Sequence, residues 1–152
     1  MNVGVVGVGV VGGACKFGFE LLGHNVSVHD IVLDTTMADV MDTEVVYICV
    51  PTPRADDGSC DISIVHEVIV ELQDRGYNGI VAIKSTVVPG TTESLREETG
   101  LNVCFVPEFL RERCAITDLQ RIMMYVLLDA AMIRPIGLLR SATVRYQKSL
   151  SD

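Results

Sequence analysis

Three glycines and an aspartate near the start of the chain have the types and spacing to grip a dinucleotide. Gly7-Val8-Gly9-Val10-Val11-Gly12 follows the apolar run Asn2 to Val6 and precedes a stretch with a helical pattern. In such a turn the first glycine permits the tight bend, the second lets the backbone approach a pyrophosphate, and the third lets helix and strand pack closely. The free N–H groups of the helix's first turn then face the anion. Asp30 closes the next apolar run 18 residues after Gly12, close to the ~20 expected of the acid that takes a ribose hydroxyl pair. A carboxylate there repels a 2′-phosphate, and no arginine follows it closely, so the pattern points to NAD over NADP. The competing reading is a glycine-rich packing turn beside a solvated aspartate; it explains the glycines but not the order of strand, turn, helix and acid.

Two further blocks stand at the ends of apolar runs, where an open α/β sheet binds its ligand. One is Val50-Pro51-Thr52-Pro53, the other Lys84-Ser85-Thr86-Val87-Val88-Pro89-Gly90-Thr91-Thr92. Prolines and hydroxyls there make a rigid polar rim, although each block alone reads equally well as turn and capping chemistry. The stretch PEFLRERC, from Pro107 to Cys114, is the most heavily charged of these exits. Alone, Glu108, Arg111 and Glu112 would be read as a surface ion-pair cluster of little energetic value.

Elements that could hold these blocks alternate along the chain. NVGVV, NVSVH, EVVYICV, GIVAIK, LNVCFV and RIMMYVLL read as strands, with helices expected from about Val11 to Leu22, Ile62 to Arg75 and Thr92 to Thr99. Apolar runs buried on both faces and separated by helices predict a Rossmann-like, doubly wound α/β fold, its sheet mainly parallel and covered by helices on both faces. Asp61 is the expected N-cap of the second helix.

Composition narrows the function classes. The 152 residues, 49% hydrophobic and 21% charged, suit one domain with a real core. A net charge of -8 without a basic cluster argues against nucleic acid. The apolar start lacks the basic region of a signal peptide, and IMMYVLLDAAMI is too short to span a bilayer, so no membrane association is expected and the setting read is cytoplasmic. Five cysteines, Cys15, Cys49, Cys60, Cys104 and Cys114, show neither CxxC nor metal-ligand spacing. Free thiols and no metal are expected.

Taken together, GVGVVG, VPTP followed by Asp57-Gly58 and Asp61, KSTVVPGTT, and PEFLRE followed by Ala115-Ile116 closely resemble the NAD-binding domain of the UDP-glucose/GDP-mannose dehydrogenase family. The four blocks keep the family's order from Met1 to about Arg121. The resemblance implies a domain over residues 1–128 and a divergent end over 129–152, without a second domain. It implies that Gly7, Val8, Gly9, Val10, Val11, Gly12 and Asp30 hold NAD, with Val50, Pro51, Thr52, Ser85, Thr86 and Glu108 also lining the cofactor. Thr86 matches a threonine that positions water near the reacting carbon, and Glu108 a glutamate at the nicotinamide end. Glu108, Phe109, Leu110, Arg111 and Glu112 match the loop along the sugar nucleotide, with Glu112 as acid/base group. In the family a nucleotide sugar's C6 alcohol becomes a carboxylate at the expense of two NAD, through a thiohemiacetal and a thioester on a cysteine.

There are departures. Val10 replaces a usual tyrosine, Arg113 replaces a small residue, and the connection from Asp30 to Glu44 is short for the family. The family's later lysine and asparagine, its central dimerisation helix and its glycine-flanked nucleophilic cysteine have no match in the 152 residues. Three readings compete: the NAD half of a nucleotide-sugar dehydrogenase, inactive alone; a module that holds NAD without turnover as a regulatory partner; and a hydroxyisobutyrate-type dehydrogenase, which PEFLRE and STVVPGTT oppose. The partners implied are NAD, a UDP-sugar, and either a separate chain carrying the catalytic half or further copies of this one.

Overall fold

Valine and isoleucine dominate the short runs that become strands, because branched side chains fit a pleated surface packed on both sides. A computed structural model describes residues 1–107 and shows β1 (Asn2–Val6), α1 (Val10–Leu21), β2 (Asn25–His29), a single 3-10 turn (Met37–Val40), β3 (Val45–Ile48), α2 (Ser63–Asp74), β4 (Ile80–Ile83), α3 (Thr91–Thr99) and β5 (Asn102–Phe105). All five strands are parallel, in the order β2-β1-β3-β4-β5. The expected α/β architecture is therefore present. The expected strand at RIMMYVLL and the domain boundary at 128 lie outside the described residues.

Both faces of the sheet are covered. Val65, Ile69 and Leu72 of α2 and Leu95 of α3 pack with Val46, Ile48, Val81, Ile83 and Val103 on one face. On the other, α1 lays Phe19 against Tyr47 with ring centroids 4.8 Å apart, beside Val3, Val45 and Ala82. No helix among the described residues is long and apolar enough to cross a membrane.

The link from β2 to β3 fixes where a ligand can sit. It carries only the 3-10 turn, which packs on β1 through Met37 and Val40. Gly4 makes this possible, since a Cβ there would lie 3.2 Å from Val40 Cβ and 3.0 Å from Thr43 Oγ1. The chain thus runs from β1 outward to β2 and returns across β1 to β3. At such a switch point the connections leave in opposite directions, and a crevice opens between the carboxyl ends of β1 and β3.

Element ends differ from the sequence reading by a residue or two. Cys49, Val50 and Lys84 leave their strands because their backbone turns into the loops of the crevice. Helix α1 starts at Val10, one residue early, with Gly9 as its cap. Ile62, not Asp61, is the boundary residue of α2, yet Asp61 Oδ1 still accepts the Ser63 N–H at 2.8 Å and so satisfies a first-turn donor.

Candidate functional site

The glycine-rich turn lies at the carboxyl end of β1, and its three glycines have three different surroundings. Gly7 adopts φ +87°, a conformation that favours glycine, and a Cβ on it would come within 2.9 Å of the Cys49 and Val50 backbone. Gly12, buried in the first turns of α1, would drive a Cβ to 1.8 Å from the Gly7 carbonyl oxygen. Gly9 differs from both. Its φ of -71° suits any residue, and a Cβ built on it meets nothing within 4 Å. Neither backbone strain nor packing calls for glycine at position 9, and the open space lies at the N-terminus of α1. No acidic residue occupies that first turn and no side chain caps it, so the electropositive end of the helix is available to an anion.

Asp30 is fastened to the same turn. Its Oδ2 accepts the Val8 N–H at 2.5 Å and its Oδ1 accepts the Val32 N–H at 3.1 Å. These two donors, Val8 first, hold the carboxyl below its usual range and keep it ionised at neutral pH. A carboxylate has about four acceptor positions, so two protein bonds leave capacity for a pair of hydroxyls. The backbone around it is tied in turn: Gly7 N–H donates to the His29 carbonyl at 2.9 Å, and Asp30 N–H donates to Thr35 Oγ1 at 3.2 Å. The bond to Thr35 carries no sequence signal, since a threonine five residues after an acid marks nothing by itself.

The second and third blocks form the opposite rim. Val50, Pro51 and Thr52 follow β3, whose continuation at Cys49 donates its N–H to Val6 O at 2.8 Å and underlies the Gly7 bend. Ser85 is buried and donates its hydroxyl to Val50 O at 2.6 Å, which ties the third block to the second. Thr86 is exposed at the rim. Between them, residues 53–61 fold back as a small hairpin closed by the Arg54 and Cys60 bridge, and Cys60 Sγ donates to Thr86 O at 3.4 Å. In the sequence Cys60 is only one of five expected free thiols, with nothing to mark this contact.

The described structure thus brings Gly7 to Gly12, Asp30, Val50 to Thr52, Ser85 and Thr86 to the carboxyl ends of β1, β2, β3 and β4. Glu108, Phe109, Leu110, Arg111 and Glu112, together with Arg113 and Cys114, lie outside the described residues. The arrangement fits an extended dinucleotide: a helix N-terminus and an open glycine for a pyrophosphate, an ionised acid one strand away for a ribose, and a rim of hydroxyls on the other side.

Comparison with known proteins agrees. Residues 32–128, well over half of the chain, match the model of the UDP-glucose/GDP-mannose dehydrogenase family, NAD binding domain. A UDP-glucose 6-dehydrogenase of Haloferax volcanii is 27% identical over 165 residues, covering 78% of this chain and 38% of that protein. One from Pseudomonas aeruginosa is 37% identical over 92 residues, covering 53% of this chain and 20% of that protein. The solved UDP-glucose dehydrogenase of Pyrobaculum islandicum shares the fold, with a TM-score of 0.70 at 24% identity over 97% of this chain and 48% of that one. The chain spans less than two fifths of the length of these curated relatives.

Proposed function

The chain belongs to the UDP-glucose/GDP-mannose dehydrogenase family, as its NAD binding domain, and from that premise we propose that it is the cofactor half of a UDP-glucose 6-dehydrogenase-like enzyme. The observation that carries the reading is Gly9, a glycine that the fold does not need and that leaves room at the α1 N-terminus for a pyrophosphate.

Gly9 and the first N–H groups of α1 bind the pyrophosphate, while Asp30 accepts from the ribose hydroxyls and disfavours a 2′-phosphate. Bound NAD supplies a hydride acceptor. The Ser85 to Val50 bond holds the two far loops together, and the Cys60 bond to the Thr86 carbonyl orients the loop that carries the Thr86 hydroxyl. Thr86 then positions water at the rim, and Glu108 and Glu112 supply the nicotinamide contact and the acid/base group.

The family's route from alcohol to carboxylate uses a thiolate to trap the aldehyde, and none of the five cysteines matches that nucleophile. Incubated alone with NAD and UDP-glucose, the 152-residue polypeptide should give no NADH absorbance above a no-protein control. Sustained production of two NADH per sugar, lost on Cys114→Ala, would overturn this. A turnover-free NAD-holding module would give the same blank, but would stay silent when a chain carrying a glycine-flanked cysteine is added.

A further inference from the structure

Ile31, Val32 and Leu33, the three residues after Asp30, are 95%, 82% and 43% exposed. Burial therefore does not fix the direction in which Asp30 leaves β2. Hydrogen bonds do: beside those from the Val8 and Val32 N–H groups to the carboxylate itself, two contacts meet on one hydroxyl. Thr35 Oγ1 accepts the Asp30 N–H at 3.2 Å and lies 3.3 Å from His29 Nδ1, so it joins the last residue of β2 to the acid that follows. With the ring proton of His29 on Nε2, the hydroxyl accepts from the Asp30 amide and donates its one proton to Nδ1. Leu33 N–H closes the turn on Asp30 O at 3.0 Å.

We infer that Thr35 is a positioning residue for the Asp30 carboxylate and thereby sets the preference for NAD over NADP. The inference rests on the assignment of Asp30 to the ribose. Without the hydroxyl, the half-buried Asp30 amide loses its partner, and the peptide can rotate to find water. That rotation pulls the carboxylate against its own bonds from the Val8 and Val32 N–H groups and shifts it from the direction in which they hold it. A ribose diol, which needs both of its acceptors in place, loses more than a 2′-phosphate, which the carboxylate only repels.

The test compares Thr35→Val, Thr35→Ala and Thr35→Ser with the unmutated chain and with Asp30→Ala, titrating each with NAD and with NADP and recording each melting temperature. Valine and alanine should weaken NAD about fivefold, the worth of one hydrogen bond, and narrow the NAD to NADP ratio. Serine should restore both. A merely structural threonine would lower the melting temperature and leave the ratio unchanged. If Asp30→Ala collapses the ratio while Thr35→Val and Thr35→Ala preserve it, the inference fails and the ribose assignment stands. If Asp30→Ala itself leaves the ratio unchanged, the assignment fails and the inference goes with it.

Discussion

Gly12→Ala should destabilise the chain more than any other single methyl added to the glycine-rich turn. The new Cβ would sit 1.8 Å from the Gly7 carbonyl oxygen and 2.9 Å from its carbon. Both are backbone atoms, so no flexible side chain can yield. Relief requires α1 to move off β1, which breaks the packing of Ala14, Cys15 and Phe19 beneath it. Such overpacking costs about 3 kcal/mol, and in a chain of this size that lowers the melting temperature by roughly 10 °C. Thermal unfolding followed by circular dichroism reads the effect directly. An unchanged melting temperature would mean that the helix does not press on the turn as described.

Gly9→Val should do the opposite, leaving the fold intact and removing the cofactor. A Cβ at this position meets no atom from elsewhere in the fold within 4 Å, and the φ of -71° is one that valine adopts. The melting temperature should therefore match that of the unmutated chain. The pyrophosphate, however, is pushed away from the α1 N-terminus, and with it go at least two charge-assisted hydrogen bonds worth about 1.5 kcal/mol each. NAD affinity should fall by on the order of a hundredfold. Fluorescence titration of NADH against the two proteins, with melting curves alongside, separates the outcomes. Global unfolding of Gly9→Val would give this glycine a structural task and remove the main support for the site.

The contrast between these two glycines also shows what the sequence could and could not tell. Spacing alone suggested a turn, a helix and a distant acid, because each role demands a residue type at a near-fixed offset. The strands were legible for a similar reason: valine and isoleucine runs buried on both faces have few other uses. Strand order was not legible, since nothing in the residues from Asp30 to Glu44 states that a single 3-10 turn recrosses β1, and Gly4, which permits it, reads as an ordinary strand glycine. Contacts between a side chain and a distant backbone were invisible too. The Thr35 bond to Asp30 N–H, the Ser85 bond to Val50 O and the Cys60 bond to Thr86 O follow no period. They depend on how loops meet at the end of the sheet, which only the folded chain determines.

The claim that the crevice between β1 and β3 is an NAD site is tested most directly by calorimetric titration of the unmutated chain with NAD and, separately, with NADP. Asp30, ionised and held toward the turn by the Val8 N–H, should welcome a ribose diol and repel a phosphate in its place. The expected result is saturable binding of NAD and an affinity for NADP weaker by about tenfold or more. Equal affinity for the two dinucleotides, or no heat with NAD at concentrations that saturate ordinary dinucleotide sites, would contradict the account.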